Sequence, residues 1–286
     1  MSRKVIVFIG AIALFGLGAI VGVLVSNAIF AGDGQPSEEI SAPTLDPNVT
    51  PTPSYSQLQA TIEALEGELE AALAEPEPTE APAEEEADAE EEATEEDTAD
   101  TATGERLLYR IAQEQSEARF YIDEILAGEE ITVVGTTNQV AGDVIVDFSN
   151  PASSQVGTIR INVRTLRTDN NFRDDAIRGR VLQSSRDEFE FAEFVPAEII
   201  GLPESVAVGE TIEFEIIGDL TLRDVTRTLT FNATVTVTDE QSLAGVASTT
   251  FPYRDFNLTV PQPPSVSFIA DDVTIEIDFV ALRVES

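Results

Sequence analysis

The sequence contains no cysteine and no histidine, and its single methionine is the initiator. Histidine acid–base catalysis, cysteine or serine–histidine nucleophiles, and zinc or haem sites built on thiolate or imidazole ligands are therefore excluded. Without cysteine there is no disulfide framework, so the sequence leaves the redox compartment open. We expect neither a metal ion nor a cofactor.

Basic residues are also scarce. The chain has 16 lysines and arginines against 53 aspartates and glutamates, which gives a net charge of −37. A chain of this charge is repelled by the phosphates of nucleic acids and by anionic lipid headgroups within the Debye length. Nucleic acids are therefore excluded as partners.

The remaining chemistry would depend on carboxylates, hydroxyls, amides and arginine, and we predict that the protein is not an enzyme. Two pairs of adjacent aspartates are present, Asp174 with Asp175 and Asp271 with Asp272. Neighbouring side chains on a helix or strand do not face each other, so solvation or capping explains each pair better than catalysis or calcium binding. For Arg173 we favour a structural ion pair over contact with a lipid headgroup.

An uncharged apolar run spans residues 5–30 and follows Arg3 and Lys4. A helix rises about 1.5 Å per residue, so this run is long enough to cross a hydrocarbon core about 30 Å thick. We interpret residues 1–30 as a single-pass transmembrane anchor; a cleaved signal peptide is the alternative, although its apolar region is normally shorter. Basic residues only before the run place the rest of the chain on the extracytoplasmic side, in the periplasm or extracellular envelope.

Residues 31–105 contain no lysine or arginine but 23 acidic residues. Proline, alanine and glutamate dominate this stretch, which cannot bury enough apolar surface to offset its ordering entropy. We predict a disordered acidic linker that holds the C-terminal domain away from the membrane, with a reach of about 45–50 Å. Apolar residues at heptad-like spacing predict a short helix over 55–74, through which we expect at most weak oligomerisation.

From residue 106 to residue 286, apolar and polar residues alternate in many short segments. The clearest case is residues 218–231, whose pattern predicts a β-hairpin with its turn at or near 224–226. Further strands are predicted at 107–112, 118–123, 131–136, 143–148, 158–165, 188–194, 211–217, 227–237, 244–250, 256–260 and 273–284.

One helical pattern, at residues 173–183, interrupts the strands and follows the capping candidates Asn170 and Asn171. Its narrow apolar edge cannot cover a sheet of about eight to ten strands, so the sheet must fold over or close on itself. We predict an all-β fold, an antiparallel lipocalin-like β-barrel with one short helix. A two-sheet sandwich is the alternative.

The chain from residue 107 to residue 284 resembles the YceI-like lipid-binding family. Five stretches carry the resemblance, in the expected order: SEARFYI at 116–122, GDVIVDFSNP at 142–151, TDNNFRDDAIRGRVLQSSRDEFEF at 168–191, the segment 218–231, and TTFPYRDFNL at 249–258. Several short motifs in this order are a more specific signal than any one of them alone.

The resemblance implies an antiparallel barrel with a long apolar interior that holds a polyisoprenoid, such as a polyprenyl chain or a quinone tail. It implies a protein that carries or sequesters this lipid. The candidate lining consists of inward-facing apolar residues of the predicted strands: Phe120, Ile122, Val144, Val146, Ile161, Phe189, Phe191, Phe214 and Phe231. The alternative function is a cell-surface interaction module whose barrel is filled by side chains. A hollow interior favours the lipid carrier.

Overall fold

The computed structural model of the protein describes residues 36–37, 40–49 and 105–285. The predicted anchor at 1–30, the predicted helix at 55–74 and most of the predicted linker lie outside the described residues. Within the part of the chain that is described, no helix is both long and apolar enough to cross a membrane.

The C-terminal domain is built from antiparallel strands, as the period-two alternation predicts. Helix α1 (Asn171–Ala176) continues into a π-helical turn, Ile177–Val181. The strands in chain order are β1 (Arg106–Ile111), β2 (Glu117–Leu126), β3 (Glu129–Thr137), β4 (Val140–Ala141), β5 (Asp143–Asp147), β6 (Gln155–Val156), β7 (Ile159–Asn162), β8 (Phe191–Ile200), β9 (Thr211–Leu222), β10 (Val225–Asp239), β11 (Ser242–Pro252), β12 (Val266–Ile269) and β13 (Asp272–Arg283).

All these strands belong to one antiparallel sheet that curls around its apolar face. Its hydrogen-bonded path runs from β4 through β7, β8, β9, β10, β11, β13, β1 and β5 to β6, and β2 joins β13 to β3 and β12. The all-β, antiparallel prediction is confirmed. In the described residues, however, no strand pairing joins β4 to β6, so the architecture is a curled half-barrel and not a fully closed barrel. It is a single sheet, and the sandwich alternative is wrong.

The β9–β10 hairpin has the predicted inward and outward faces. The two strands pair up to Leu222 opposite Val225, which leaves Arg223 and Asp224 as a two-residue turn. Arg223 adopts a left-handed backbone with φ of 57°, as tight hairpin turns require. The turn therefore lies one residue earlier than predicted, and Phe231 is buried on the inner face.

Two inward-facing aromatic rings lie where a neighbouring strand has glycine. A Cβ atom on Gly135 would clash with the ring of Phe120, and one on Gly218 would come within 2.7 Å of the ring of Phe194. Phe194 also packs against Phe231, with 4.7 Å between ring centroids. The glycines thus let large rings approach the backbone of the sheet closely.

The predicted helix is present but shorter and less regular than expected. The side-chain oxygen of Asn170 caps it by accepting hydrogen bonds from the backbone N–H groups of Phe172 (2.9 Å) and Arg173 (3.4 Å). The strand predicted at 256–260 is wrong, because the chain there forms the 3₁₀ turn Tyr253–Phe256 and then a loop. The short strands β4 and β6, of two residues each, and β12, of four, were not predicted, because so few residues show no clear alternation.

Part of the predicted linker lies on the outer side of the sheet. We call residues 36–37 and 40–49 the N-terminal strap. Arg160 of β7 donates from Nη1 to the carbonyl oxygen of Ser41 (2.9 Å), and the backbone N–H of Leu45 donates to Oδ2 of Asp143 in β5 (3.3 Å). Ile40 is buried. The strap therefore bridges β7 and β5, which lie near the two ends of the hydrogen-bonded path.

Asp147 organises the turn that follows β5. Its Oδ1 accepts hydrogen bonds from the backbone N–H groups of Ser149 (3.0 Å) and Asn150 (2.9 Å), and its Oδ2 accepts one from Oγ of Ser153 (3.0 Å). Burial acts to raise the pKa of Asp147, but these hydrogen bonds outweigh it, and the pKa lies below its ordinary value.

We expect Asp147→Asn to lower the free energy of unfolding by about 1–3 kcal/mol at neutral pH, because the donors around this buried side chain lose a charged acceptor. The stabilisation by Asp147 is present above the unfolded-state pKa of about 4 and is lost as pH falls through the lower folded-state pKa. Urea unfolding at several pH values should show the difference between the two proteins shrinking below about pH 4.

Asp272→Asn changes an exposed aspartate and is the control. An equal loss of stability in both variants, or a difference between Asp147→Asn and the parent that grows on acidification, would contradict the role given to Asp147.

Candidate functional site

A large cavity lies inside the curl of the sheet, next to α1. Its volume is about 600 Å³, within the range of small-molecule binding sites. We call it the main cavity. Its walls are mostly aliphatic and aromatic side chains from the inner face of the sheet and from α1. They include Ala118, Phe120, Ile122, Val133, Ile161, Val163, Val181, Ala192, Phe194, Leu220, Leu222, Phe231, Phe251, Tyr253 and Ile275.

A second space of about 110 Å³ lies farther from α1, and we call it the inner cavity. Its lining is almost wholly apolar. Ile159 of β7 and Ile277 of β13 line both cavities, so these two side chains form the boundary between them. Both are buried.

The mouth of the main cavity is bounded by α1, by the end of β2 and by the loop at 261–265. Arg173 of α1 donates from Nη2 to Oε1 of Glu124 in β2 over 2.9 Å, and Glu124 is buried. This contact confirms the structural ion pair predicted for Arg173. Phe172 and Arg180 lie on the rim, and the side chain of Phe172 is 86% exposed.

The charges near the cavity are paired or lie at its mouth. Arg119 lines the main cavity, but its guanidinium donates to Glu117 (2.6 Å) and to Glu276 (2.9 Å). Burial acts to lower the pKa of Arg119, whereas these hydrogen bonds raise it above its ordinary value. The charge of Arg119 is therefore balanced by these two carboxylates, and the interior of the cavity stays apolar.

Seven of the nine predicted lining residues border one of the two cavities. Those at the main cavity are Phe120, Ile122, Ile161 and Phe231. Those at the inner cavity are Val144, Val146 and Phe214. Phe189 and Phe191 border neither of them.

Phe189 and Phe191 face away from the cavities because β8 starts later than predicted. The chain forms a 3₁₀ turn over Asp187–Phe189, and β8 then turns Ala192 and Phe194 toward the interior. The rings are instead covered by cations: the guanidinium of Arg160 lies 5.1 Å from the ring centroid of Phe191, and that of Arg186 lies 4.8 Å from the ring centroid of Phe189.

Glu190 is buried where the sequence pattern predicted an outward position. Its carboxylate accepts hydrogen bonds from Nδ2 of Asn162 (2.8 Å) and from the backbone N–H and Oγ of Ser37 in the strap (2.7 and 2.9 Å). Nη1 of Arg164 lies 3.4 Å from Oε2 of Glu190, the oxygen that accepts from Oγ of Ser37. The partners Asn162 and Ser37 are 28 and 153 positions away in sequence, so no local pattern indicates this network.

Several cavity residues were missed by sequence reasoning. Leu220 and Leu222 belong to the apolar positions of the alternating segment 218–231, but alternation does not distinguish a cavity wall from a packed core. Tyr253 lies in a 3₁₀ turn, where the sequence gives no directional pattern.

The arrangement is suited to holding an apolar molecule. An enclosed apolar space with polar groups at its mouth removes hydrocarbon from water while leaving a polar end solvated. Among the described residues, no group of three or more acidic side chains is placed to hold a metal ion.

The family model of the YceI-like domain matches residues 109–281, which reach from β1 to β13. The chain belongs to the YceI-like family. The resemblance stated for residues 107–284 is thereby confirmed.

Solved structures of similar fold come from several bacteria. BcnA of Burkholderia cenocepacia is 16% identical, with 59% of this chain and 98% of BcnA covered and a TM-score of 0.48. A polyisoprenoid binding domain from Saccharophagus degradans is 11% identical, with 62% and 99% covered and a TM-score of 0.48. The YCEI protein of Campylobacter jejuni is 14% identical, with 53% and 85% covered and a TM-score of 0.42. No curated protein matches the chain.

The placement of the phenylalanines gives a matched pair of substitutions. Phe231→Ala should lower the free energy of unfolding by about 3–5 kcal/mol, because it leaves a space in the buried wall. Phe191→Ala should cost clearly less, because it loses partial burial and a cation–π contact worth about 0.5–1 kcal/mol. Chemical denaturation measures both, and an equal or reversed order would contradict the outward position of Phe191.

Proposed function

We propose that this YceI-like protein binds an isoprenoid lipid, of polyprenyl or quinone type, and carries or sequesters it while anchored on the extracytoplasmic side of a membrane. The observation that supports the ligand is the main cavity, an apolar space of about 600 Å³ that opens at one end. Members of the family are binding proteins and not enzymes, and we assign no reaction. The hollow interior favours a carrier over an interaction module with a filled barrel.

The energetics require that several isoprene units be buried. Burial of one CH₂ group contributes about 0.8 kcal/mol, so a five-carbon unit contributes on the order of 4 kcal/mol. Association itself costs on the order of 4–15 kcal/mol. One unit is therefore too short for tight binding, and a chain of several units has a net gain. Such a chain would fill the main cavity first and then reach the boundary at Ile159 and Ile277.

The polar end of the lipid would stay at the mouth. Asn170, Arg180 and Gln262 are polar side chains that border the cavity there. They offer amide and guanidinium donors to a headgroup, whereas the interior offers almost no polar partner. A lipid bound in the opposite direction would leave its polar group in an apolar space, which costs several kcal/mol without hydrogen bonds.

The membrane part of the proposal is supported by the apolar run at 5–30 and by the basic residues before it. We expect the full chain to sediment with bacterial membranes and to resist extraction by salt and carbonate. The domain should be digested by protease added to spheroplasts. Release by carbonate, or protection from the protease, would contradict the anchor or its orientation.

Two substitutions on one strand test whether an isoprenoid occupies the main cavity. Ala192 borders the main cavity and Ala197 is exposed, and both lie in β8. We expect the full chain, purified from bacterial membranes, to release an isoprenoid on lipid extraction and mass spectrometry. Ala192→Phe should lose most of this lipid because the new ring fills the cavity, whereas Ala197→Phe should retain it.

Both variants carry the same background of membrane lipid, so their difference reports the cavity. Circular dichroism checks that Ala192→Phe is folded. Equal lipid content in the two folded variants, or no isoprenoid in the parent protein, would refute the proposed ligand.

The boundary between the cavities gives a test of ligand length. Ile277→Ala should join the two spaces and shift the bound lipids toward longer chains. It should also lower the free energy of unfolding by about 2–5 kcal/mol, because a buried methyl-rich side chain is removed. Ile200→Ala makes the same change at an exposed position and is the control. An unchanged length distribution would show that the ligand does not reach Ile277.

A further inference from the structure

The N-terminal strap follows the outer side of the sheet from one end to the other. At its start, Ser37 donates two hydrogen bonds to Glu190, of 2.7 and 2.9 Å. At its end, Nη1 of Arg106 donates to the carbonyl oxygens of Pro47 (3.0 Å) and Val49 (2.6 Å). These contacts fix the direction in which the chain passes the domain.

The start of the strap lies at the same end as the cavity mouth. Glu190 is hydrogen-bonded to Asn162, and the neighbours of Asn162 along the chain, Ile161 and Val163, border the main cavity but not the inner one. Arg106, by contrast, precedes Leu107, which packs against the buried cluster at the opposite end of the sheet. The strap therefore begins on the side of the mouth.

The acidic stretch at 50–104 is not on the path between the apolar run and the domain. In sequence it follows Val49 and precedes the first strand of the domain, and Nη1 of Arg106 donates a hydrogen bond to the carbonyl oxygen of Val49. Only the six residues 31–36 separate Phe30, at the end of the apolar run, from Ser37. Seven steps from Phe30 to Ser37 span at most about 25 Å. For a chain anchored through residues 5–30, a connection of this length favours a domain held close to the membrane over one held far from it.

The rim of the mouth carries side chains that suit a lipid surface. Phe172 is 86% exposed, and Phe268, in β12 beside the mouth, is 51% exposed. Arg180 is exposed, and among the described residues it has no carboxylate partner, which leaves its guanidinium available to a lipid phosphate. Large apolar side chains exposed together with such a cation are typical of membrane-contacting surfaces.

We propose that the strap turns the cavity mouth toward the bilayer in which residues 5–30 are anchored, so that Phe172 and Phe268 contact the lipid surface. This inference rests on the proposed membrane anchor and does not require a particular ligand. It gives the lipid a direct route between bilayer and cavity. It also explains why an acidic domain can approach a membrane: the short covalent connection holds it there despite charge repulsion.

The experiment places fluorescent labels at the two ends of the domain. The chain has no native cysteine, so single cysteines can be labelled without background. Phe172→Cys labels the rim, and Val208→Cys, which is 55% exposed in the loop before β9, labels the opposite end. The full chain is reconstituted in phosphatidylcholine vesicles with or without headgroup-nitroxide lipid, and bimane fluorescence is measured.

We expect strong loss of fluorescence from the label at 172 and little loss from the label at 208. Equal quenching at both positions, or stronger quenching at 208, would overturn the orientation. Failure of the chain to float with the vesicles would overturn both the anchor and the orientation. The isoprenoid found by mass spectrometry is an independent measurement, so a failed orientation leaves the ligand proposal standing.

A second pair of variants tests the strap itself. Ile40→Asp places a charge at a buried strap position, whereas Val49→Asp makes a similar change where the side chain is 60% exposed. With the label at 172, we expect Ile40→Asp to reduce quenching and Val49→Asp to leave it unchanged. If quenching at 172 survives Ile40→Asp in full, the strap does not orient the domain.

Discussion

A sheet with one apolar face must remove that face from water, and within the described domain one short helix is all that is available to cover it. The sheet meets this constraint by curling until its inner face packs against itself, as Phe194 does against Phe231. Glycines allow the largest rings to lie close to the backbone. The curl encloses more space than these side chains fill. The same constraint that determines the fold therefore also leaves the main cavity.

The buried carboxylate of Glu190 joins parts of the chain that are far apart in sequence. It holds Asn162 at the end of β7 and Ser37 in the strap, and Arg164 lies next to it. An unpaired carboxylate in this place would cost several kcal/mol, so each partner is needed to make burial tolerable. The position of the strap is thus coupled to the integrity of the wall behind it.

The strands and the all-β class were predictable because a period-two pattern is local and each strand carries it independently. The register at the start of β8 was not. Phe189 and Phe191 would lie on one face of a strand and Phe194 on the opposite face, so the pattern does not tell which face is turned inward. In the structure β8 begins at Phe191, and the guanidinium groups of Arg160 and Arg186 cover the outward-facing rings.

The incomplete closure of the sheet and the position of the strap could not be predicted from the sequence either. Closure depends on pairing at β4 and β6, which are too short to show a pattern. The composition of residues 31–105 does not indicate the strap, because its few apolar residues are outnumbered by the residues of the long acidic stretch. The cavity could be expected only in outline: local alternation identifies the residues of a wall but not the distance to the opposite wall.

The hydrogen bond from Nη1 of Arg106 to the carbonyl oxygen of Val49 affects how much the length of the acidic stretch matters to the domain. Val49 and Arg106, which flank the acidic stretch at 50–104, are hydrogen-bonded to each other, so this contact closes a loop in the chain. The entropy of closing such a loop grows only logarithmically, and doubling its length costs about 0.6 kcal/mol. We therefore expect insertions and deletions in the acidic stretch to change the stability of the domain only slightly.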